Sequence, residues 1–145
     1  MHPAASQALF DEEAKHLSPA LCARRGWIMH TLEYPVINVS FTASGRTPLR
    51  LTLRCDNWND LPPSIRLENA DGTPLQNVTP NPSGVFHAGP HNLTNLPLVC
   101  MRGAREYHTH PSHVADLWDG IRSGSSYTIG GIMTQVWNAW LKGSG

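Results

Sequence analysis

Lysine is scarce in this chain: only Lys15 and Lys142 stand against nine arginines. Net charge is missing too, with a formal value of zero at neutral pH. That removes the basic excess on which nucleic-acid and anionic-membrane binders rely, so neither is an expected partner. No apolar run approaches the ~20 residues of a membrane span. The N-terminal stretch MHPAASQALFDEEAKH has neither the basic region nor the apolar core of a signal peptide. A cytoplasmic location is therefore expected, where thiols stay reduced. Three cysteines, Cys22, Cys55 and Cys100, are too few and too widely spaced for a disulfide framework or a CxxC metal pair. No cofactor is expected.

What is present suits one domain spanning residues 1–145, with 40% hydrophobic residues to build a core. Residues 4–17 place Leu9, Phe10, Ala14 and Leu17 on one face of a helix, opposite Asp11, Glu12 and Glu13. Ser18-Pro19 is read as the end of that helix. Residues 27–43 are rich in β-branched and aromatic types and predict strands interrupted at Pro35. In 48–55, Leu49, Leu51, Leu53 and Cys55 alternate with Arg50, Thr52 and Arg54, the pattern of a half-buried strand. Ile65 and Leu67 alternate with Arg66 and Glu68 in another.

Residues 72–97, rich in Pro, Gly and Asn, predict a long loop without regular elements. A helical turn is expected over 114–122. Residues 127–142 carry Ile129, Ile132, Met133, Val136, Trp137 and Trp140 at helical spacing. The final Gly-Ser-Gly reads as a frayed tail. The fold class is α+β: an N-terminal helix, an antiparallel β-meander, a Pro-rich loop leading to a cysteine, and a C-terminal helix.

Cys100 closes the segment Gly89-Pro90-His91-Asn92-Leu93-Thr94-Asn95-Leu96-Pro97-Leu98-Val99-Cys100. By its local sequence alone, a cysteine in an apolar run is a small core residue. The wider pattern argues otherwise. Asn92 lies eight residues before Cys100, and Pro90-His91-Asn92 resembles the His-Pro-Asn tripeptide of the ubiquitin-conjugating enzyme family with its first two residues exchanged. Trp58-Asn59-Asp60-Leu61-Pro62-Pro63 is similar to that family's aromatic-Pro-x-x-Pro-Pro entry into a strand, with Asn59 in place of the first proline. Trp118 follows Cys100, further on than the family's tryptophan. Among relatives, the histidine-rich insert resembles the conjugating component of bacterial ubiquitination-like operons linked to phage defence.

The resemblance implies a fold of the ubiquitin-conjugating type. It also implies a reaction in which Cys100 accepts a ubiquitin-like modifier from an activating enzyme as a thioester and passes it to an amine of a protein substrate. Asn92 would donate its amide to the carbonyl oxygen that gains charge, or hold the loop. The N-terminal helix would dock the activating enzyme through Leu9, Phe10, Glu12 and Glu13. An inactive modifier-binding protein of the same fold is the first alternative.

The second alternative starts from His108-Thr109-His110-Pro111-Ser112-His113, where three histidines within six residues are a candidate zinc site, with Asp116 as a fourth ligand. A His-x-His run also resembles the zinc-dependent JAMM-type deubiquitinases. That family needs Ser and Asp where this chain has Trp118 and Ile121, so no metal is assigned. The reading taken forward puts His91, His108 and His110 beside Cys100, where an imidazole would assist the thiol or accept the lysine proton. Asp116 and Asp119, after Glu106, are the nearest acidic candidates in sequence for the same task, with nothing to rank them.

Overall fold

Ser18-Pro19 begins a helix rather than ending one: the first helix has already stopped at Ala14, with Lys15 as its cap, and Leu17 lies beyond it. The computed structural model describes residues 1–78 and 84–143. In it, helix α1 covers Pro3–Ala14 and a second helix, α2, covers Pro19–Arg25. Ser18 Oγ accepts from the Leu21 amide at 3.2 Å, and Pro19 stands in the first turn, where its missing N–H costs nothing. The two-residue signal is therefore a start, and the expected stop is corrected. Gly26 closes α2 at φ +72°, where a Cβ would sit 2.4 Å from the Thr42 carbonyl oxygen.

Four strands follow: β1 (Trp27–Glu33), β2 (Val36–Phe41), β3 (Leu49–Arg54) and β4 (Ser64–Glu68). They pair antiparallel in sequential order. Register sets the core: Ile37 faces Leu53, Val39 faces Leu51, and Leu53 faces Ile65, all of them buried. The opposite face carries an ion network. Glu68, itself buried, accepts from Asn38 Nδ2 at 2.9 Å, from Thr52 Oγ1 at 2.6 Å and from Arg66 at 2.6 Å. A buried carboxylate is tolerated because donors surround it.

Helix α4 (Ile129–Lys142) turns Ile129, Ile132, Met133, Val136 and Trp140 inward, as its spacing predicts. Its aromatics meet the sheet: Trp137 lies edge-on to Trp27 at 5.7 Å and Trp140 lies 6.0 Å from Phe41. The loop over 72–97 is not wholly irregular. Phe86–His87 forms a short strand, β5, paired antiparallel with β6 (Leu98–Val99). Residues 79–83 of that loop, and Ser144 and Gly145 of the tail, lie outside the described residues. The turn expected over 114–122 narrows to a 3-10 turn at Trp118–Gly120. Among the described residues no helix is long and apolar enough to cross a membrane.

Helix α1 corrects two of the docking residues. Phe10 is 1% exposed and meets the edge of Tyr34 at 5.4 Å, so it belongs to the core. Glu13 also turns inward: one carboxylate oxygen accepts from Trp58 Nε1 and the other from the Ile129 amide, both at 2.8 Å. It thus caps α4, where a carboxylate suits the positive end of the helix dipole. Leu9 is half-buried. Glu12 faces solvent, paired with Lys15 at 3.0 Å. The expected apolar face is corrected as well: Ser6 and Phe10 are the buried residues of the helix and Leu9, Glu13 and Ala14 are half-buried, so the inward side is mixed and only part of the acidic run points outward.

Candidate active site

Strand β6 delivers Cys100. The Cys100 amide donates to the Val85 carbonyl at 2.6 Å, which continues the β5–β6 pairing by one residue and fixes where the thiol emerges. Of the three cysteines, Cys22 and Cys55 are buried and Cys100 is half-exposed. Burial pushes the Cys55 thiol up to about 12, which leaves it inert as a nucleophile. Burial also raises the Cys100 thiol from its ordinary value, though the thiol stays within reach of solvent.

Past Cys100 the chain turns through Gly103 into a single helical turn, α3 (Arg105–His108). Glu106 anchors that turn to the start of β4. Its buried carboxylate accepts from Ser64 Oγ at 2.6 Å and from the Ile65 amide at 2.8 Å. Arg105 binds the proline pair from the same side. Its amide donates to Pro63 O at 2.8 Å and its Nε to Pro62 O at 3.0 Å. The Pro-Pro strand entry and the segment after the cysteine are therefore one unit, joined by backbone carbonyls that find no strand partner.

Each histidine can be followed to its partners. His91 is 2% exposed. Its Nδ1 accepts from the Leu93 amide at 3.1 Å, so Nε2 carries the proton and donates to Glu106 O at 2.8 Å. The same residue closes the 91–96 turn through its backbone, with His91 N to Leu96 O at 3.0 Å and Asn95 N to His91 O at 2.8 Å. His91 is thus the pin that holds the Asn92 turn against α3, not a group facing the thiol. In His91→Ala, the buried Glu106 carbonyl loses its donor. That alone is expected to cost about 1–3 kcal/mol of folding stability, read by urea unfolding.

His108 is likewise tied at both nitrogens. Its Nε2 accepts from the Gly103 amide at 3.0 Å and its Nδ1 donates to Asp116 O at 2.8 Å. His110 Nδ1 accepts from the Ser112 amide at 3.1 Å. The expectation that His108 and His110 lie against Cys100 is therefore corrected: no described contact of the thiol reaches either. The imidazole that does so is His113, whose Nε2 lies 3.9 Å from Cys100 Sγ. Its ring stacks on Tyr107 with centroids 4.1 Å apart and planes 11° apart. His110 stands 6.0 Å behind it, ring to ring. Among the described residues no group of three or more His, Cys, Asp or Glu side chains gathers to hold a metal ion.

Asp116 braces this cluster. Its Oδ2 accepts from Tyr107 Oη and from Arg102 Nε, both at 2.7 Å. The Tyr107 hydroxyl, and then Arg102, hold the Asp116 carboxyl below the usual carboxylate range. A carboxylate so satisfied is a poor proton acceptor, so the general-base role expected of Asp116 is corrected to a bracing one. A depressed carboxyl stabilises the fold fully above its unfolded value and loses that contribution as pH falls through the folded one. The fluorescence of Tyr107 and Trp118 is thus expected to report loosening of the 107–116 segment only below the ordinary carboxylate range. In Asp116→Asn the same segment should already be loose at neutral pH.

Asn92 is exposed at the tip of its turn, and among the described hydrogen bonds none joins it to Cys100. Sequence reasoning placed His113 in the cluster without naming it as catalytic. A local signal for it is lacking, because its proximity to the thiol depends on the helical turn between them. The chain matches no protein-family model and no curated protein.

Proposed function

We propose that this chain is a conjugating enzyme of the ubiquitin-conjugating type, which carries a ubiquitin-like modifier as a thioester on Cys100. The observation that carries the reading is the state of that cysteine. It alone among the three is half-exposed, it sits at the end of a two-strand pairing, and an imidazole lies 3.9 Å from its sulfur. That is the setting of a nucleophile rather than of a core thiol.

The surroundings support the same reading. The order of N-terminal helix, four-strand meander, cysteine segment and C-terminal helix agrees with the family that Pro90-His91-Asn92 and Trp58-to-Pro63 resemble. The Pro62-Pro63 carbonyls are bound by Arg105, so two motifs read separately in sequence serve one site. The partners on this reading are a ubiquitin-like modifier, its activating enzyme and a protein amine. On α1, the outward Glu12 and the half-buried Leu9 remain for the activating enzyme.

Incubation with a ubiquitin-like modifier, its activating enzyme and ATP should yield an adduct that thiol reductant cleaves. Peptide mapping should place the modifier on Cys100, and Cys100→Ala should give no adduct. Non-covalent binding of the modifier with no adduct from the native chain would instead mark a binding protein of this fold. An adduct that persists in Cys100→Ala would overturn the assignment.

A further inference from the structure

Four imidazoles, those of His91, His108, His110 and His113, cluster around the cysteine segment, and three of them are committed to backbone partners. His91 and His108 spend both ring nitrogens there, and His110 spends Nδ1 on the Ser112 amide. The fourth, His113, points a nitrogen at a side chain that can react, with Nε2 3.9 Å from Cys100 Sγ.

Its aim is set from both sides. The backbone holds the residue in consecutive turns, with His113 N to His110 O and Asp116 N to His113 O, each 2.9 Å. The ring lies flat on Tyr107, whose hydroxyl is tied to Asp116, which is tied in turn to Arg102. The titratable and charged groups around the imidazole are thus Cys100 in front, Tyr107 on its face, His110 behind, and Asp116 and Arg102 beyond Tyr107.

We propose that His113 is the catalytic base of this site, taking the proton from Cys100 Sγ and returning it to the sulfur that leaves. The reaction it serves rests on the conjugating reading given above. As the sulfur of Cys100 attacks the carbonyl carbon of the incoming modifier thioester, its proton moves to Nε2. The bond from that carbon to the activating enzyme's sulfur breaks, and this sulfur takes the proton from Nε2. On transfer out, the acceptor nitrogen attacks the same carbon and the carbon–Sγ bond breaks. Nε2 then carries the proton from the nitrogen to Sγ. His113 ends as it began and no further reagent is needed.

Two features make a base necessary here. Burial holds the Cys100 thiol above its ordinary value, so little thiolate forms unaided near neutrality. The neighbouring carboxylate, Asp116, is already satisfied by Tyr107 and Arg102. An imidazole, whose ordinary pKa lies near neutrality, is the group suited to the exchange.

The test uses the full chain and iodoacetamide as a probe of Cys100, with alkylation mapped by mass spectrometry between about pH 6 and pH 10, a range that spans the ordinary imidazole and thiol values. At neutral pH, His113→Gln should react about tenfold or more slowly than the native chain, the lower end of what a positioned base supplies. The two rates should converge in alkali, where the thiol ionises without help. Added imidazole should restore the neutral-pH rate of His113→Ala, a rescue that a merely structural role would not give. Equal rates at neutral pH in folded native and variant chains would overturn the proposal, as would failure of imidazole to rescue.

Charging by a modifier thioester separates this inference from the reading beneath it. If alkylation depends on His113 and the native chain forms no adduct, the conjugating reading fails and the base stands. If the adduct forms at the same rate with and without His113, the base fails and the conjugating reading stands.

Discussion

On the proposed conjugating reaction, Cys100→Ser should exchange a reducible adduct for one that thiol reductant leaves intact and dilute alkali removes. The oxygen of serine would bond the modifier's carbonyl carbon as an oxygen ester, which thiols exchange with slowly. Two penalties accompany the change. A hydroxyl is a weak nucleophile at its own pKa, and an imidazole placed 3.9 Å from a large sulfur atom is further from a shorter C–O bond. An alkoxide is also a poorer leaving group than a thiolate, so the amine discharges the ester slowly. A discharge slowed by about a hundredfold corresponds to about 2.7 kcal/mol on the barrier. Gel mobility with and without reductant reads the first effect, and single-turnover discharge onto free lysine reads the second. An adduct in Cys100→Ser that still falls to reductant would place the reactive thiol elsewhere. Cys22 and Cys55, both buried, make that outcome unexpected.

Trp58→Ala should be the most destabilising single exchange in the proline-pair region, at about 3–5 kcal/mol. The indole is 0% exposed and lies 5.9 Å from Trp118, ring to ring. Its Nε1 donates to Glu13 at 2.8 Å, the same carboxylate that caps α4 through the Ile129 amide. Removing the ring therefore opens a cavity and also strips a donor from the group that joins α1 to α4. Trp118 loses its neighbour while its own Nε1 keeps the Asn59 carbonyl at 2.8 Å. Against a total stability of about 5–15 kcal/mol, the variant would approach unfolding under mild heat. Trp58→Phe retains most of the packing and loses the hydrogen bond, so it should cost less. Urea titration of both variants measures the difference. A cost below about 1 kcal/mol for Trp58→Ala would mean that the site relaxes around the loss.

Both outcomes bear on how far the site was legible before the fold was known. The alternation of Leu51 and Leu53 with Thr52 and Arg54, and the spacing of Ile132, Met133 and Val136, are local patterns, and β3 and α4 follow them. The start of α2 is legible as well, since Ser18 and Pro19 are cap and first-turn residues. The short β5–β6 pair left no periodic trace, because two residues on each side are too few to repeat a pattern.

For Cys100, sequence by itself determined only a candidacy, through the family resemblance carried by Asn92 eight residues earlier and the proline pair upstream. Tertiary structure alone decided which cysteine reaches solvent and which histidine meets it. Four imidazoles of one chemistry lie in the stretch from 91 to 113, and no local rule ranks them. The ranking comes from closures over distance. Glu106 ties α3 to β4, His91 spends its nitrogens on a turn and on α3, and the Tyr107–Asp116–Arg102 brace holds His113 against the sulfur. Residue type set what each group can do, and those long-range hydrogen bonds set which of them is left to do it.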